Sequence, residues 1–157
     1  MKSAEQIMEE LRRPFAPEDL EWRVGSTNGD KTKGLALAYV TNRAIMNRLD
    51  ETVGTFNWKN EFREWKGNSQ LCGISIRFEK EWITKWDGSD DSNYEATKGG
   101  LSDAMKRAGY QWGIGRYLYN LTPKWVPIKQ VGKMSIIENH NIPKLPAWAL
   151  PSQDLTE

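Results

Sequence analysis

One cysteine and one histidine leave this 157-residue chain almost nothing with which to hold a transition metal. Cys72 alone closes no intramolecular disulfide. His140 stands between Asn139 and Asn141, away from any acid–base partner, and reads as a surface residue. No serine or cysteine has a visible base beside it, so covalent catalysis is not expected. No G-x-x-x-x-G-K-[ST] run occurs, which removes a Walker-type ATP site. No long apolar run occurs either, and the opening MKSAEQIMEELRRPF does not read as a signal peptide. The expectation is a soluble cytoplasmic protein with no membrane contact, no cofactor, no metal and no enzymatic activity. Charge of one sign is lacking as well. The 22 Lys and Arg nearly balance the 21 Asp and Glu, for a formal net charge of +1. Evidence for a nucleic-acid partner must therefore come from local clustering.

What the chain has in quantity is tryptophan, eight residues, so a large aromatic area is either buried or used. Residues 4–13 predict a short amphipathic helix, with Ile7, Met8 and Leu11 on one face and Pro14 and Pro17 ending it. In LEWRVGSTNGDKTKGLALAYV, two strand-like runs flank a turn-rich GSTNGDKTKG, a long hairpin loop. Thr41 or Asn42 caps a helix over roughly 42–53, with Ile45, Leu49 and Val53 at helical spacing. Three strands follow. TFNWKNEFREW puts Phe56, Trp58 and Phe62 on one parity and Asn57, Lys59, Glu61 and Arg63 on the other. CGISIRFE sets Cys72, Ile74, Ile76 and Phe78 against Gly73, Ser75, Arg77 and Glu79. WITKW runs into an acidic loop, DGSDDSN. Such alternation predicts an antiparallel sheet with one face covered and the other wetter. The cover is a long helix from about Tyr94, with Leu101, Ala104, Met105, Ala108 and Trp112 in one stripe and Asp103, Lys106, Arg107 and Tyr110 opposite. After Gly113 the phase is lost, which predicts a break and a short second helix through Leu118. Five of the seven prolines follow residue 122. The tail is expected to be extended, with one strand around 134–137. The fold class is α+β, a β-β-β-α core plus an N-terminal helix and a β-hairpin. Residues 1–121 form the core domain and 122–157 the proline-rich tail.

Two candidate sites weigh little. Gly113-Ile114-Gly115 is preceded by a helix, not a strand, and Leu118 stands where a dinucleotide fingerprint needs its third glycine. The acidic group Asp87, Asp90, Asp91 and Glu95 could serve a metal-dependent nuclease, but no suitable partner strand is visible. The plainer reading is a solvated loop whose charges favour the N-terminus of the next helix. The basic residues are less even. Residues 23–48 are net +4, residues 98–116 net +3, and residues 1–21 net −3. A basic hairpin (Arg23, Lys33) and a basic helix face (Lys98, Lys106, Arg107, with Arg116 beyond) could form two walls of one groove for a phosphate backbone. From composition alone such a helix face is more often merely solvated.

The run LSDAMKRAGYQWGIGRYLY resembles the signature helix of the Rad52-type single-strand annealing superfamily, approximately [ST]-D-x-[LM]-K-R-A…[FW]-G-x-x-[LR]-x-L-Y. The upstream hairpin, helix and first strand, and the ending WVP…LPAWALP, are similar to the short phage and prokaryotic branch, Sak-like and DNA damage response protein A-like. The resemblance covers roughly residues 18–150. It implies a subunit that assembles into rings or helical filaments, carries single-stranded DNA in an outer basic groove, and anneals complementary strands in recombination and repair without ATP. By the same resemblance, Lys106 and Arg107 project outward as the backbone-gripping pair. Arg23 ends the strand entering the hairpin, and Lys33 contributes from the hairpin. Tyr110 stands where some members carry another basic residue, and stacks or hydrogen-bonds instead. The implied setting is the nucleoid of a prokaryotic cell or phage-infected host, with a single-strand-binding protein or recombinase as a further candidate partner. Phosphate contacts carry no sequence information, which suits annealing of any sequence. The alternatives are a DNA-end-protecting protein that anneals weakly, the nuclease, and a scaffold that binds no DNA.

Overall fold

The structure, a computed structural model, describes the backbone of residues 1–67, 69–90 and 96–152, and the side chains of these except 90 and 96–99. It is α+β, with antiparallel sheets and three α-helices among the described residues. Contacts divide it into two compact units: Met1–Arg13 with Thr41–Arg116, and Pro14–Val40 with Tyr117–Glu157.

In the first unit, helix α1 (Ala4–Arg12) starts in a capping box. Ser3 Oγ accepts from Gln6 N at 3.2 Å and Gln6 Oε1 accepts from Ser3 N at 2.8 Å, which satisfies two end donors. Of the expected apolar stripe only Leu11 is fully buried. Ile7 is half-buried and Met8 exposed. Helix α2 (Asn42–Val53) begins at Thr41, whose Oγ1 accepts from Ala44 N at 3.2 Å, and stops at Gly54, where φ is +89°. It buries Ala44, Ile45 and Leu49. Its Arg48 donates to the carbonyls of Glu10, Leu11 and Arg13 at 3.0, 3.2 and 2.8 Å, so a cation serves the carbonyl end of α1.

Strands β3 (Trp58–Glu64), β4 (Ser69–Phe78) and β5 (Glu81–Asp90) form an antiparallel sheet in that order. Helix α3 (Ala96–Gln111) packs on β4 and β5 and covers the face that carries Cys72, Ile74 and Ile76. Trp112 Nε1 donates to Ile74 O at 2.8 Å and fastens the end of the helix to the middle strand. The expected helix start at Tyr94 lies outside the described residues. The expected break is present: Gly113 has φ +90° and Gly115 +77°, and a 3-10 turn, Arg116–Asn120, follows. A Cβ at Gly113 would also stand 2.7 Å from Arg12 Cγ, so both backbone conformation and space favour glycine there.

Two expectations are corrected here. The wetter face is exposed at Arg77 and on the flanking strands, but at its centre Gly73 and Ser75 of β4 are buried too. The Trp86 indole lies across Gly73, where an added Cβ would meet it at 2.7 Å. And the stretch after WITKW is not a loop at Asp87. Pairing continues through Cys72↔Asp87 to Ser69↔Asp90, because the ten-residue β4 supplies partners that far.

In the second unit, β1 (Leu20–Thr27) and β2 (Lys33–Val40) make the hairpin. Its loop is shorter than expected. Asn28 Oδ1 accepts from the backbone N–H of Thr32 and Lys33 at 2.9 Å each and closes the turn. Among its described residues the tail holds three strands where one is expected. β6 (Lys124–Pro127) pairs antiparallel with β2, and β7 (Lys129–Val131) pairs with β8 (Met134–Ile136). Pro127 ends β6 at the sheet's edge, where a missing N–H is tolerated.

Candidate nucleic-acid interface

The two residues of the basic pair take different environments. Arg107 keeps 49% of its side chain exposed, on the side of α3 that borders β5. Its Nε donates to Asp87 Oδ1 at 3.1 Å. The same carboxylate accepts from Gln111 Nε2 at 2.9 Å and from Gly88 N at 2.7 Å. Partial burial by itself raises the Asp87 carboxyl's affinity for a proton. The hydrogen bonds from Gln111, Gly88 and Arg107, with the Arg107 charge, outweigh that and hold it below the usual carboxylate range. Asp87 is thus an internal anion seated on Arg107.

Lys106 does not project outward. It is 3% exposed. Its Nζ donates to Ser102 Oγ at 2.9 Å, one turn back, and to Asn42 Oδ1 at 3.3 Å on α2. Asn42 Nδ2 in turn donates to Ser102 Oγ at 3.1 Å. The physical reason is that α3 is covered on two sides. The sheet takes Ala104, Met105 and Ala108, and α2 packs along the flank that carries Lys106 and Gly109, with Ile45 facing Gly109. Tyr110, read as facing solvent, is 8% exposed.

Arg116 is exposed, but its guanidinium serves the helix end. It donates to Tyr110 O at 2.8 and 2.6 Å and to Gln111 O at 2.9 Å. The Lys98 side chain lies outside the described residues. So do the side chain of Asp90 and all of Asp91 and Glu95, which leaves Asp87 of the acidic group. No set of three or more metal-capable side chains occurs among the described residues.

The hairpin cations belong to the second unit. Arg23 lies over the Tyr39 ring at 4.5 Å and donates to Glu21 Oε1 at 3.1 Å. Lys33 opens β2 with an exposed side chain.

Sequence reasoning did not single out the sheet face opposite α3. Register places Lys59, Ser75 and Thr84 in one row across this face, Glu61, Gly73 and Trp86 in the next, and Arg77 beside Trp82. Lys59 Nζ lies 4.7 Å from the Trp82 ring centre, Arg77 5.7 Å from the same ring, and Arg63 4.9 Å from that of Trp86. The available signal was parity. Lys59 and Arg63 share one face of β3, and Trp82 and Trp86 share one face of β5.

A family model described as Rad52/22 family double-strand break repair protein matches residues 3–135. The chain is 31% identical over 152 residues to the single-stranded DNA-binding protein DdrA of Deinococcus radiodurans, covering 96% of this chain and 70% of that one. It is 29% identical over 150 residues to the DdrA protein of Deinococcus deserti, covering 94% of this chain and 72% of that one.

Proposed function

The chain belongs to the Rad52/22 family of double-strand break repair proteins, and we propose that it binds single-stranded DNA and anneals complementary strands in repair. The observation that carries this reading is similarity along 96% and 94% of this chain to two proteins named as single-stranded DNA-binding, together with the family match over residues 3–135. In this reading Arg107 is the direct phosphate contact on α3, released from Asp87 as the backbone docks. Lys33 and Arg23 are the hairpin's contacts. Lys106 acts from beneath, by tying α3 to α2 and fixing where Arg107 stands. Arg116 supports the same helix from its C-terminal end.

Annealing needs positioning and charge neutralisation, not bond making. It therefore proceeds without ATP, without a metal and without catalytic residues. A subunit this small covers little of a strand, so long strands are held by a homo-oligomer, a ring or helical filament. The outer strands β3 and β5 of the three-stranded sheet are candidate edges for the next copy.

The test is annealing of two complementary oligonucleotides by the purified protein, in EDTA and without nucleotide, alongside nuclease protection of single-stranded ends. Accelerated annealing under these conditions supports the reading. Protection without annealing would replace it by end protection, and magnesium-dependent cleavage by the nuclease reading.

A further inference from the structure

The sheet face opposite α3 combines two features that a phosphate grip does not need. Trp82 and Trp86 keep 42% and 36% of their surface exposed, although each has apolar area enough to form a core. Each is flanked by a cation within about 5 Å of its ring centre, Lys59 at 4.7 Å and Arg63 at 4.9 Å. Arg77 adds a third cation near Trp82, where its guanidinium is oriented by Asn57 Oδ1 at 3.0 and 2.6 Å. A cleft of about 930 Å³ adjoins Trp82 and Arg77, a volume in the range of small-ligand sites, with Lys80 and Lys2 also in its lining. The Trp86 ring is held flat by the absence of a side chain at Gly73 beneath it.

We propose that this face is a second single-stranded nucleic-acid site, in which unpaired bases stack on Trp82 and Trp86 while Lys59, Arg63 and Arg77 meet the phosphates between them. The inference rests on the single-strand binding proposed above and adds a base-engaging surface on the other side of the sheet from Arg107. Charge decides between this occupant and a second copy of the chain. The face's strand residues carry Lys59, Arg63 and Arg77 against Glu61 alone. Two copies meeting through it would oppose like charges, and the buried centre of a protein interface is depleted of charge. A polyanion with exposed π-faces complements both features. Guanidinium planes stack on bases as indoles do, so the cations over the rings extend the platform. Stacking accepts every base, so sequence tolerance is kept.

The experiment compares two fluorescent ligands of equal length, a thymidine oligonucleotide and an abasic deoxyribose-phosphate oligonucleotide, bound to wild type, Trp82→Ala, Trp86→Ala and Trp82→Phe. Folding is checked by circular dichroism and assembly size by light scattering. The wild type is expected to prefer the thymidine ligand. Each alanine variant should lower that affinity by about fivefold or more, from the lower end of the stacking range, with abasic binding unchanged. Trp82→Phe should retain most of the preference. Equal wild-type affinity for both ligands overturns the stacking site and leaves the phosphate-binding reading intact. Wild type that binds neither ligand overturns both. Unchanged thymidine binding with a smaller assembly makes this face a contact between copies and overturns the site. Should Trp86→Ala fail to fold, because its ring covers Gly73, the more exposed Trp82 alone decides the outcome.

Discussion

Lys106→Ala separates the structural role of this residue from a DNA contact. The side chain is 3% exposed and its Nζ donates at 2.9 Å to Ser102 and at 3.3 Å to Asn42. Alanine removes the three methylenes beyond Cβ, about 2 kcal/mol of buried apolar area at ~0.8 kcal/mol each. It also removes two hydrogen bonds, about 1 kcal/mol each when both partners are buried. Ser102 and Asn42 are half-buried, so water recovers part of the second contribution. The expected loss is about 3 kcal/mol, or about 6–12 °C in melting temperature for a chain of this size. Lys106→Met keeps most of the stem and should lose about half as much. The assay is urea and thermal unfolding by circular dichroism, with single-strand affinity measured on whatever remains folded. Had the side chain pointed to solvent, alanine would be neutral or slightly stabilising, as the better helix former. A Lys106→Ala protein that melts with the wild type yet loses DNA affinity would refute the burial argument and restore Lys106 as a direct contact.

Arg107→Ala should do the reverse. Its half-exposed ion pair with Asp87 contributes about 1 kcal/mol at most, whereas losing one phosphate contact should reduce the single-strand salt slope by about 0.7, equally for all sequences. A salt series of binding isotherms checks this. Asp87→Asn should tighten single-strand binding, because the carboxylate that competes for Arg107 is gone; weaker binding would mean that Asp87 orients the arginine for DNA. The same variant has a signature in pH. Asp87 has its folded-state affinity for protons lowered, so its contribution to stability is present above its unfolded pKa and lost as pH falls through the lower folded value. Wild type and Asp87→Asn should therefore differ in stability near neutrality and converge in acid unfolding. Burial pushes the Cys72 thiol up to about 12, so native protein at pH 8 should react with a thiol reagent only as it unfolds; rapid labelling of folded protein would contradict the buried placement.

Local signals in the chain were sufficient for several of the elements. Thr41 before an i, i+4 apolar pair defined α2, period-two alternation defined β3 and β4, and Gly113 marked the end of α3. These are properties of neighbours in sequence, where capping, pleat and backbone conformation act. The signature helix carried the family for a related reason, since its residue types recur in fixed order along one element. Which side of that helix meets solvent is a different question. A helical wheel divides α3 into an apolar stripe and its opposite, and so assumes a single packing partner. Two partners are present, and α2 takes the flank that holds Lys106 and Gly109. Nothing local announces that a lysine will find Ser102 and Asn42, because Asn42 lies 64 residues away in sequence. Strand register likewise decided the acidic stretch. Only pairing with β4 keeps Asp87 in the sheet, and only the packing of α3 on β5 brings Arg107 and Gln111 to its carboxylate. The rows of cations and indoles on the opposite face depend on the same register, since a shift of one residue would have turned Trp82 and Trp86 to the helix side. Signals between sequence neighbours thus specified most of the elements and the family, whereas strand pairing set where β5 ends and packing between distant elements set which charges reach solvent, because burial depends on what packs from afar.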